Sequence, residues 1–155
     1  MFTCFAVAAP GTEPWVADEI RSLGYPDVVE IDGGVEFEAS LKDLMRANLW
    51  ARTASRILVR LATFPARELS LLQRRVAKID LSSFIGKGQS ISVKVTCKKS
   101  KIYHSGAATE RIAESLESAY DIRVVKGDAL TPELIVRIHR DVVTVSIDSS
   151  GGHLH

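Results

Sequence analysis

The amino-acid sequence predicts a soluble α+β protein that is built from two consecutive units. The chain has 155 residues, of which 46% are hydrophobic and 25% are charged, so it can form one good core or two small ones. Strand-like and helix-like apolar spacings replace one another along the chain, and the order of elements changes near residue 65. No apolar run approaches the roughly 20 residues that span a bilayer, so we expect no membrane partner.

The first unit begins with a predicted strand over residues 2–9, where FTCFAVAA is almost entirely apolar. Pro10-Gly11 then indicates a turn, and Thr12 is expected to be the N-cap of a helix. The apolar stripe of this helix is expected to be Val16, Ile20 and Leu23. Gly24 suits the position after the helix end, because glycine readily adopts the left-handed backbone found there.

Residues 28–38 predict a hairpin that turns at Asp32-Gly33-Gly34. Its inward side chains are expected to be Val29, Ile31, Val35 and Phe37. Ser40 and Asp43 resemble a capping box that opens a second helix. The stripe of that helix is expected to be Leu41, Leu44, Met45, Asn48 and Leu49. With a closing strand over 55–64, residues 1–65 follow the β-α-β-β-α-β order of the ferredoxin-like arrangement.

The second unit is expected to open with a helix and to continue in a different order. The apolar stripe of the opening helix is Leu69, Leu72, Val76 and Ile79. Residues 90–98 alternate as a strand whose outward side chains are Ser92, Lys94, Thr96 and Lys98. A helix follows over about 106–119, and a hairpin over 133–148 turns at Arg140-Asp141.

Motifs for catalysis and metal binding are missing from the sequence. Gly86-Lys87-Gly88 precedes a strand pattern instead of a helix, so it does not fit a dinucleotide-binding loop. His139 has no partner at metal-ligand spacing and is interpreted as a surface histidine. Cys4 and Cys97 are interpreted as buried free thiols in a reducing, cytoplasmic compartment. We therefore expect no catalytic residue and no metal site in these 155 residues.

Positive charge is concentrated in the second half of the chain, although the net charge is only +1. Residues 1–65 carry 6 basic and 9 acidic side chains, whereas residues 66–155 carry 14 basic and 10 acidic ones. Between Asp80 and Glu110 there is no acidic residue, and five lysines lie there. Such a local positive field favours an anionic partner.

The segment CKKSKIYHSGAATER, residues 97–111, is the strongest candidate for contact with that partner. Lys94 and Lys98 project from one strand face, and Lys99 and Lys101 follow in the loop. Lysines bind phosphates without sequence preference, and Tyr103 could stack on an unpaired base. The amides of Ser105, Gly106 and Ala107 are expected to be unpaired at a helix start, where they could bind an anion. Arg137, on the polar face of a later strand, is a further candidate.

A simpler interpretation of the same segment stays open. Runs of lysine usually belong to solvated faces, and Tyr103 could be packed in the core. The segment would then be an ordinary strand-to-helix connection without a ligand.

Four ordered motifs resemble the N-terminal half of a bacterial RNA guanine-N2 methyltransferase: APGTEPWVADEIRSLGY, GGVEFE, NLWARTASRIL and SKIYHSGAATERIAESL. The resemblance covers essentially the whole chain. It implies a ferredoxin-like domain at 1–65 and an α/β THUMP domain, which binds RNA, at 66–149. Residues 150–155 would begin the linker to a methyltransferase domain that these residues do not include. The family's methyl-donor site and its Asn/Asp-Pro-Pro-aromatic motif have no counterpart here.

The resemblance also implies a function and roles for single residues. RNA would be the partner, ribosomal RNA first and transfer RNA second, together with a catalytic domain in cis. S-adenosylmethionine would be the cofactor of the full-length protein, with none in this part. Lys98, Lys99 and Lys101 would contact phosphates, and Tyr103 and His104 a base or ribose. Arg111, on the polar side of its helix, would contact another phosphate.

Two other functions remain possible at this point. The chain could be a ferredoxin-like module that binds protein, with lysines that only make it soluble. Alternatively, the THUMP domain could serve another RNA-modifying enzyme, such as a thiouridine synthase.

Overall fold

The computed structural model describes residues 1–86, 88–126 and 131–149. It confirms the predicted α+β class, with helices and strands in both halves of the chain. The described chain separates into two compact units. The first contains residues 1–60 together with 148–149, and the second contains residues 61–147. The predicted linker at 150–155 and Lys87 lie outside the described residues.

The first unit contains the predicted β-α-β-β-α-β order. Its elements are β1 (Phe2–Val7), α1 (Glu13–Ser22), β2 (Val29–Ile31), β3 (Gly34–Ala39), α2 (Leu41–Trp50) and β4 (Arg56–Pro65), whose last residues belong to the second unit. The strands are arranged β2-β3-β1-β4, and β1 pairs antiparallel with both β3 and β4. This is the ferredoxin-like strand arrangement, as predicted.

The hairpin of β2 and β3 turns one residue earlier than the sequence suggested. Ile31 pairs with Gly34, so the loop contains only Asp32 and Gly33. Val29 consequently lies opposite Glu36, and it is 53% exposed. The prediction that Val29 and Val35 face the same side is therefore wrong, because a shift of one residue moves every side chain of a strand to the other face.

The two helix starts of the first unit differ in how they are capped. Ser40 Oγ accepts a hydrogen bond from the Asp43 amide at 3.2 Å, which confirms the predicted cap of α2. Thr12 occupies the N-cap position of α1, but its hydroxyl donates to the Ala9 carbonyl at 2.7 Å and makes no capping bond. The Thr12 side chain therefore stabilises the turn that precedes α1 and does not cap the helix.

Helix α2 buries less of its apolar stripe than the sequence predicts. Leu44 and Ala47 are buried, and Leu41, Met45 and Leu49 are exposed. The exposed three are spaced by four residues, so they form a second apolar face along one side of the helix.

The second unit also builds a sheet that carries helices. Its elements are α3 (Leu69–Val76), β5 (Ser90–Lys98), α4 (Ser105–Ala119), β6 (Arg123–Val124), β7 (Glu133–His139) and β8 (Val142–Asp148). The strands are arranged β8-β7-β5-β6. Strand β5 pairs parallel with β7 and with the short β6, which the sequence did not predict, while β7 and β8 form the predicted hairpin at Arg140-Asp141.

Gly34 offers a test of how tightly the first sheet is packed. A Cβ atom at Gly34 would collide with the carbonyl oxygen of Ala6 and would lie 2.6 Å from the ring of Phe5. Because neither β1 nor the ring can give way freely, Gly34→Ala is expected to lower the free energy of unfolding by about 1–3 kcal/mol. Urea denaturation measures this. The control is Gly86→Ala, whose Cβ would meet only Gln89 at 3.7 Å, and an equal loss in both variants would contradict the packing argument.

Candidate nucleic-acid interface

The register between β5 and β7 brings three predicted cations onto one face of the sheet. Thr96 pairs with Arg137, and Lys98 pairs with His139. Because paired residues of neighbouring strands point to the same side, Lys94 and Lys98 share a face with Arg137. All three side chains are exposed. This face of β5 and β7, called the open face below, is therefore positively charged.

The opposite face of the same strands forms the core of the second unit. Leu134, Val136 and Ile138 of β7 are at most 1% exposed. They alternate with the residues of the open face, and α3 and α4 bury Leu72, Val76 and Ile112 in the same unit. Ser92 was expected to point outward, but it is buried and bonded to the Pro132 carbonyl at 3.4 Å, so the start of β5 is covered on both sides.

The loop after β5 is fastened to the turn between β7 and β8. The Asp141 carboxylate accepts the Lys101 amide at 2.8 Å, and Ser100 Oγ accepts the Asp141 amide at 3.0 Å. The Arg140 amide donates to the Lys98 carbonyl at 3.2 Å. Lys99 itself has a left-handed backbone with φ of 49°. These bonds hold the lysines of the loop beside the end of the open face.

Two arginines of this region were missed by the sequence analysis. Arg140 is brought to Lys98 by the hairpin turn, and Arg67 forms an ion pair with Asp141 at 3.3 Å. A signal for Arg140 was available, since parallel strands end at the same edge of a sheet and the turn that follows β7 must lie near the loop that follows β5. The position of Arg67 gave no such signal, because it depends on how the chain enters α3.

His139 lies among these cations, although the sequence suggested only a surface histidine. It pairs with Lys98 and is half-buried at the end of β7. Its pKa lies below the usual value, first because of desolvation and then because of neighbouring positive charge. The charged groups responsible are Arg137, Arg140, Lys99 and Lys98. Four cationic side chains therefore lie near His139.

Tyr103 is on the surface and not in the core. Its side chain is 81% exposed, which excludes the interpretation that it packs inside. Together with Arg67, Lys101 and His104 it lines a groove of about 200 Å³ beside the start of α4. Ser105, the first residue of α4, is exposed as well. An aromatic ring that is free on one side and flanked by cations can stack on a base.

His104 caps α4 instead of leaving the helix start open. Its Nδ1 accepts the Ala107 amide at 3.0 Å, so the prediction that this amide is unpaired is wrong. An accepting Nδ1 places the ring proton on Nε2, which remains available as a donor. The start of α4 therefore offers one backbone amide fewer to an anion than predicted.

Arg111 does not join the cations of the open face. Its guanidinium lies on α4 and donates to Gln73 of α3 at 3.3 Å. Helix α4 packs on the buried side of the sheet, whereas Lys94 and Arg137 point to the other side. The predicted cations therefore form two groups: Lys94, Lys98 and Arg137 on the open face with Lys99 and Lys101 at its edge, and Arg111 in the helical layer. That they contact RNA stays a prediction.

Cys4 and Cys97 are the two thiols of the described chain. Burial raises the pKa of Cys4 to about 12, with a further contribution from Glu38, and burial also raises the pKa of Cys97. Both thiols are free. Within ranges 1–86, 88–126 and 131–149, no three His, Cys, Asp or Glu side chains are grouped to hold a metal ion. No helix in these ranges is long and apolar enough to cross a membrane.

The His104 cap can be tested by its effect on stability. His104→Ala removes the acceptor of the Ala107 amide and is expected to lower the free energy of unfolding by about 0.5–2 kcal/mol. His104→Asn supplies another side-chain acceptor at the N-cap and is expected to retain most of that stability. Thermal or urea unfolding compares the two variants. If the asparagine variant were as unstable as the alanine variant, the imidazole would be needed for packing and not for the cap.

Comparison with known proteins gives a consistent result along the chain. Residues 3–58 match the family model described as the RlmL ferredoxin-like domain. The ribosomal RNA large subunit methyltransferase K/L of Syntrophotalea carbinolica is 33% identical over an alignment of 156 positions, and the alignment covers 97% of this chain and 22% of that protein. The protein of the same description from Methylococcus capsulatus is 28% identical, with 97% and 21% covered. The chain thus spans about a fifth of the length of these relatives.

Solved structures share the fold of both units. SMU.472, described as a methyltransferase and solved as a complex with SAH, has a TM-score of 0.83 and 26% identity, with 95% of this chain and 41% of that chain covered. A 4-thiouridine synthetase, solved with RNA and ATP, has a TM-score of 0.56 with 96% and 41% covered; at 12% identity this likeness concerns the fold alone. The predicted resemblance is therefore confirmed: nearly the whole of this chain is similar to one part of the ribosomal RNA large subunit methyltransferases K/L, and residues 3–58 match a ferredoxin-like domain model of that family.

Proposed function

We propose that this chain is the RNA-binding, substrate-positioning part of an S-adenosylmethionine-dependent RNA guanine-N2 methyltransferase that acts on large-subunit ribosomal RNA. The observation that carries the proposal is the joint placement of Lys94, Lys98 and Arg137 on the open face, with Lys99 and Lys101 at its edge. The names of the relatives supply the substrate class, which is ribosomal RNA, and the reaction, which is methyl transfer.

The open face suits a phosphate backbone because its polar side chains are exposed and regularly spaced. Residues two apart in a strand are separated by about 6.6–6.8 Å, and Lys94, Thr96 and Lys98 follow that spacing along β5. Successive phosphates of a nucleic-acid strand can therefore be contacted by successive side chains. Each contact releases counterions, which makes the affinity strongly dependent on salt.

Tyr103 and His104 would add contact to bases beside the phosphates. The ring of Tyr103 is exposed, and stacking of one base on such a ring contributes about 1–3 kcal/mol. The Nε2–H of His104 points to a donor role toward a base or ribose oxygen, because Nδ1 is engaged with Ala107. Unpaired nucleotides are the expected target, since the edges of A-form duplex bases are poorly accessible.

Catalysis would take place on a separate domain of the full-length protein, to which this chain would present the RNA. Holding the substrate near the catalytic domain raises its local concentration there. The described residues do not fit the methyl donor itself: Gly86 and Gly88 are followed by Gln89 and strand β5, and not by a helix start that could receive its charged groups. No step of methyl transfer is assigned to this chain.

The proposal predicts that loss of loop charge weakens RNA binding and its salt dependence. For Lys98→Gln with Lys99→Gln, we expect weaker binding to structured fragments of large-subunit ribosomal RNA. The slope of log K against log salt should fall in magnitude by about 2, which is about 1 for each lysine. Fluorescence anisotropy from about 50 to about 200 mM salt measures both.

The matched control removes the same charge from exposed lysines elsewhere, Lys42→Gln with Lys78→Gln. Equal losses in the two double variants would show that only net charge matters and would contradict the proposed site. Affinity that does not depend on salt would contradict RNA binding through phosphates altogether. Competition with transfer RNA tests the substrate: the ribosomal fragments are expected to bind more tightly.

A second candidate function is contact with another protein through the first unit. The exposed face of α2 carries Met45 and Leu49, which is 72% exposed, and Trp50 follows at 54%. Exposed apolar groups that lie together often mark a protein interface. This observation favours the protein-binding alternative for the first unit, and it concerns residues other than the cations of the open face.

This second candidate is tested by molar mass in solution. Where the partner is a second copy of this chain, the candidate predicts a molar mass that rises with concentration and returns to that of a monomer in Leu49→Glu, because a charge on the apolar face opposes burial. Size-exclusion chromatography with light scattering measures it. Trp15→Glu, an exposed apolar residue of α1, is the control. A constant monomer mass at all concentrations would count against self-association through α2.

A further inference from the structure

We propose that His139 is a further phosphate-contact residue and that RNA binding makes it take up one proton from solvent. The inference rests on the proposed function and assigns to the end of β7 a role that the sequence did not suggest. The proton comes from a buffer acid and forms a new N–H bond on the imidazole, which then donates to a phosphate oxygen.

The geometry places His139 where bound phosphates would converge. Lys98 is its paired neighbour on β5, and Arg137 lies two residues earlier on the same face of β7. Arg140 follows immediately and is held to Lys98 through its amide at 3.2 Å. A phosphate that bridges Lys98 and Arg140 would therefore lie within reach of the imidazole.

The groups that face His139 from the neighbouring elements are almost all cationic or neutral. Strand β5 contributes Lys98 and the loop after it Lys99, and on β8 the paired residue is Val142. Asp141 is the acidic residue of the turn, but its carboxylate is engaged with the Lys101 amide and with Arg67. The charge around His139 in the free protein is thus positive.

Desolvation and the positive surroundings favour the neutral imidazole of His139 in the free protein. Desolvation and the four neighbouring cations hold the pKa of His139 below its usual value. Bound phosphates would neutralise those cations and stabilise the imidazolium, so the pKa of His139 rises in the complex. By linkage, the complex gains stability as pH falls through that raised pKa and loses it as pH rises.

The experiment measures the affinity of a uridine oligonucleotide of about 20 residues between about pH 6 and pH 8, where uracil and the phosphodiesters do not titrate. For the native chain we expect binding about fivefold tighter at the lower pH, which is what a rise of about one pKa unit within this range gives. His139→Gln is expected to change by less than about twofold over the same range. Calorimetry in two buffers of different ionisation enthalpy counts the protons taken up.

A second variant keeps the test decisive. His139→Lys carries a permanent charge, so its affinity at about pH 8 is expected to match that of the native chain at about pH 6. If the oligonucleotide binds but native and His139→Gln chains share the same pH dependence, the role of His139 is wrong and RNA binding stands. If neither the oligonucleotide nor the ribosomal fragments bind at any pH, both the proposed role of His139 and the proposed function are wrong.

Discussion

The register of β5 against β7 is the constraint on which the account of the second unit depends. It sets Thr96 opposite Arg137 and Lys98 opposite His139. A shift by one residue would turn Lys94 and Lys98 toward the side that now holds Val136 and Ile138, and would place lysine ammonium groups in an apolar core. Burial of one face therefore fixes the charge of the other, and the proposed binding surface is a consequence of how the core packs.

The fastening of the loop to the hairpin turn then extends this surface beyond the strands. Asp141 binds the Lys101 amide and the Arg67 side chain, so one carboxylate links the hairpin turn to two other parts of the chain. Its negative charge opposes a bound phosphate, but both carboxylate oxygens are used within the protein. The cap of α4 is a second local constraint: His104 accepts a hydrogen bond from the Ala107 amide, so this amide is not available to a phosphate.

Much of the fold could be predicted because it depends on local pattern. The alternation of apolar and polar residues along β5 predicted that Lys94 and Lys98 are exposed. The turn at Arg140-Asp141 was predicted because polar residues separate two apolar runs. The hairpin of the first unit was misjudged by one residue, because either Gly33 or Gly34 could end its loop and only the pairing with β1 decides.

The composition of the candidate site could be predicted only in part. The lysines are neighbours in sequence, whereas Arg137, His139 and Arg140 reach them through a pairing of strands about 40 residues apart, which no local pattern fixes. Histidine is also not among the preferred N-cap residues, so no sequence pattern indicated that His104 would cap α4. Arg111 lies on the polar side of its helix, as predicted. Its position beside Gln73 of α3, away from the open face, follows from how α4 packs on α3.

RNA contact at single lysines can be measured by the rate at which each is acetylated with and without bound ribosomal RNA, read by mass spectrometry. Bound RNA is expected to slow the reaction at Lys94, Lys98, Lys99 and Lys101 and to leave the rates at Lys42 and Lys78 unchanged. Protection at Lys42 and Lys78, with the lysines of β5 and its loop still reactive, would contradict this expectation.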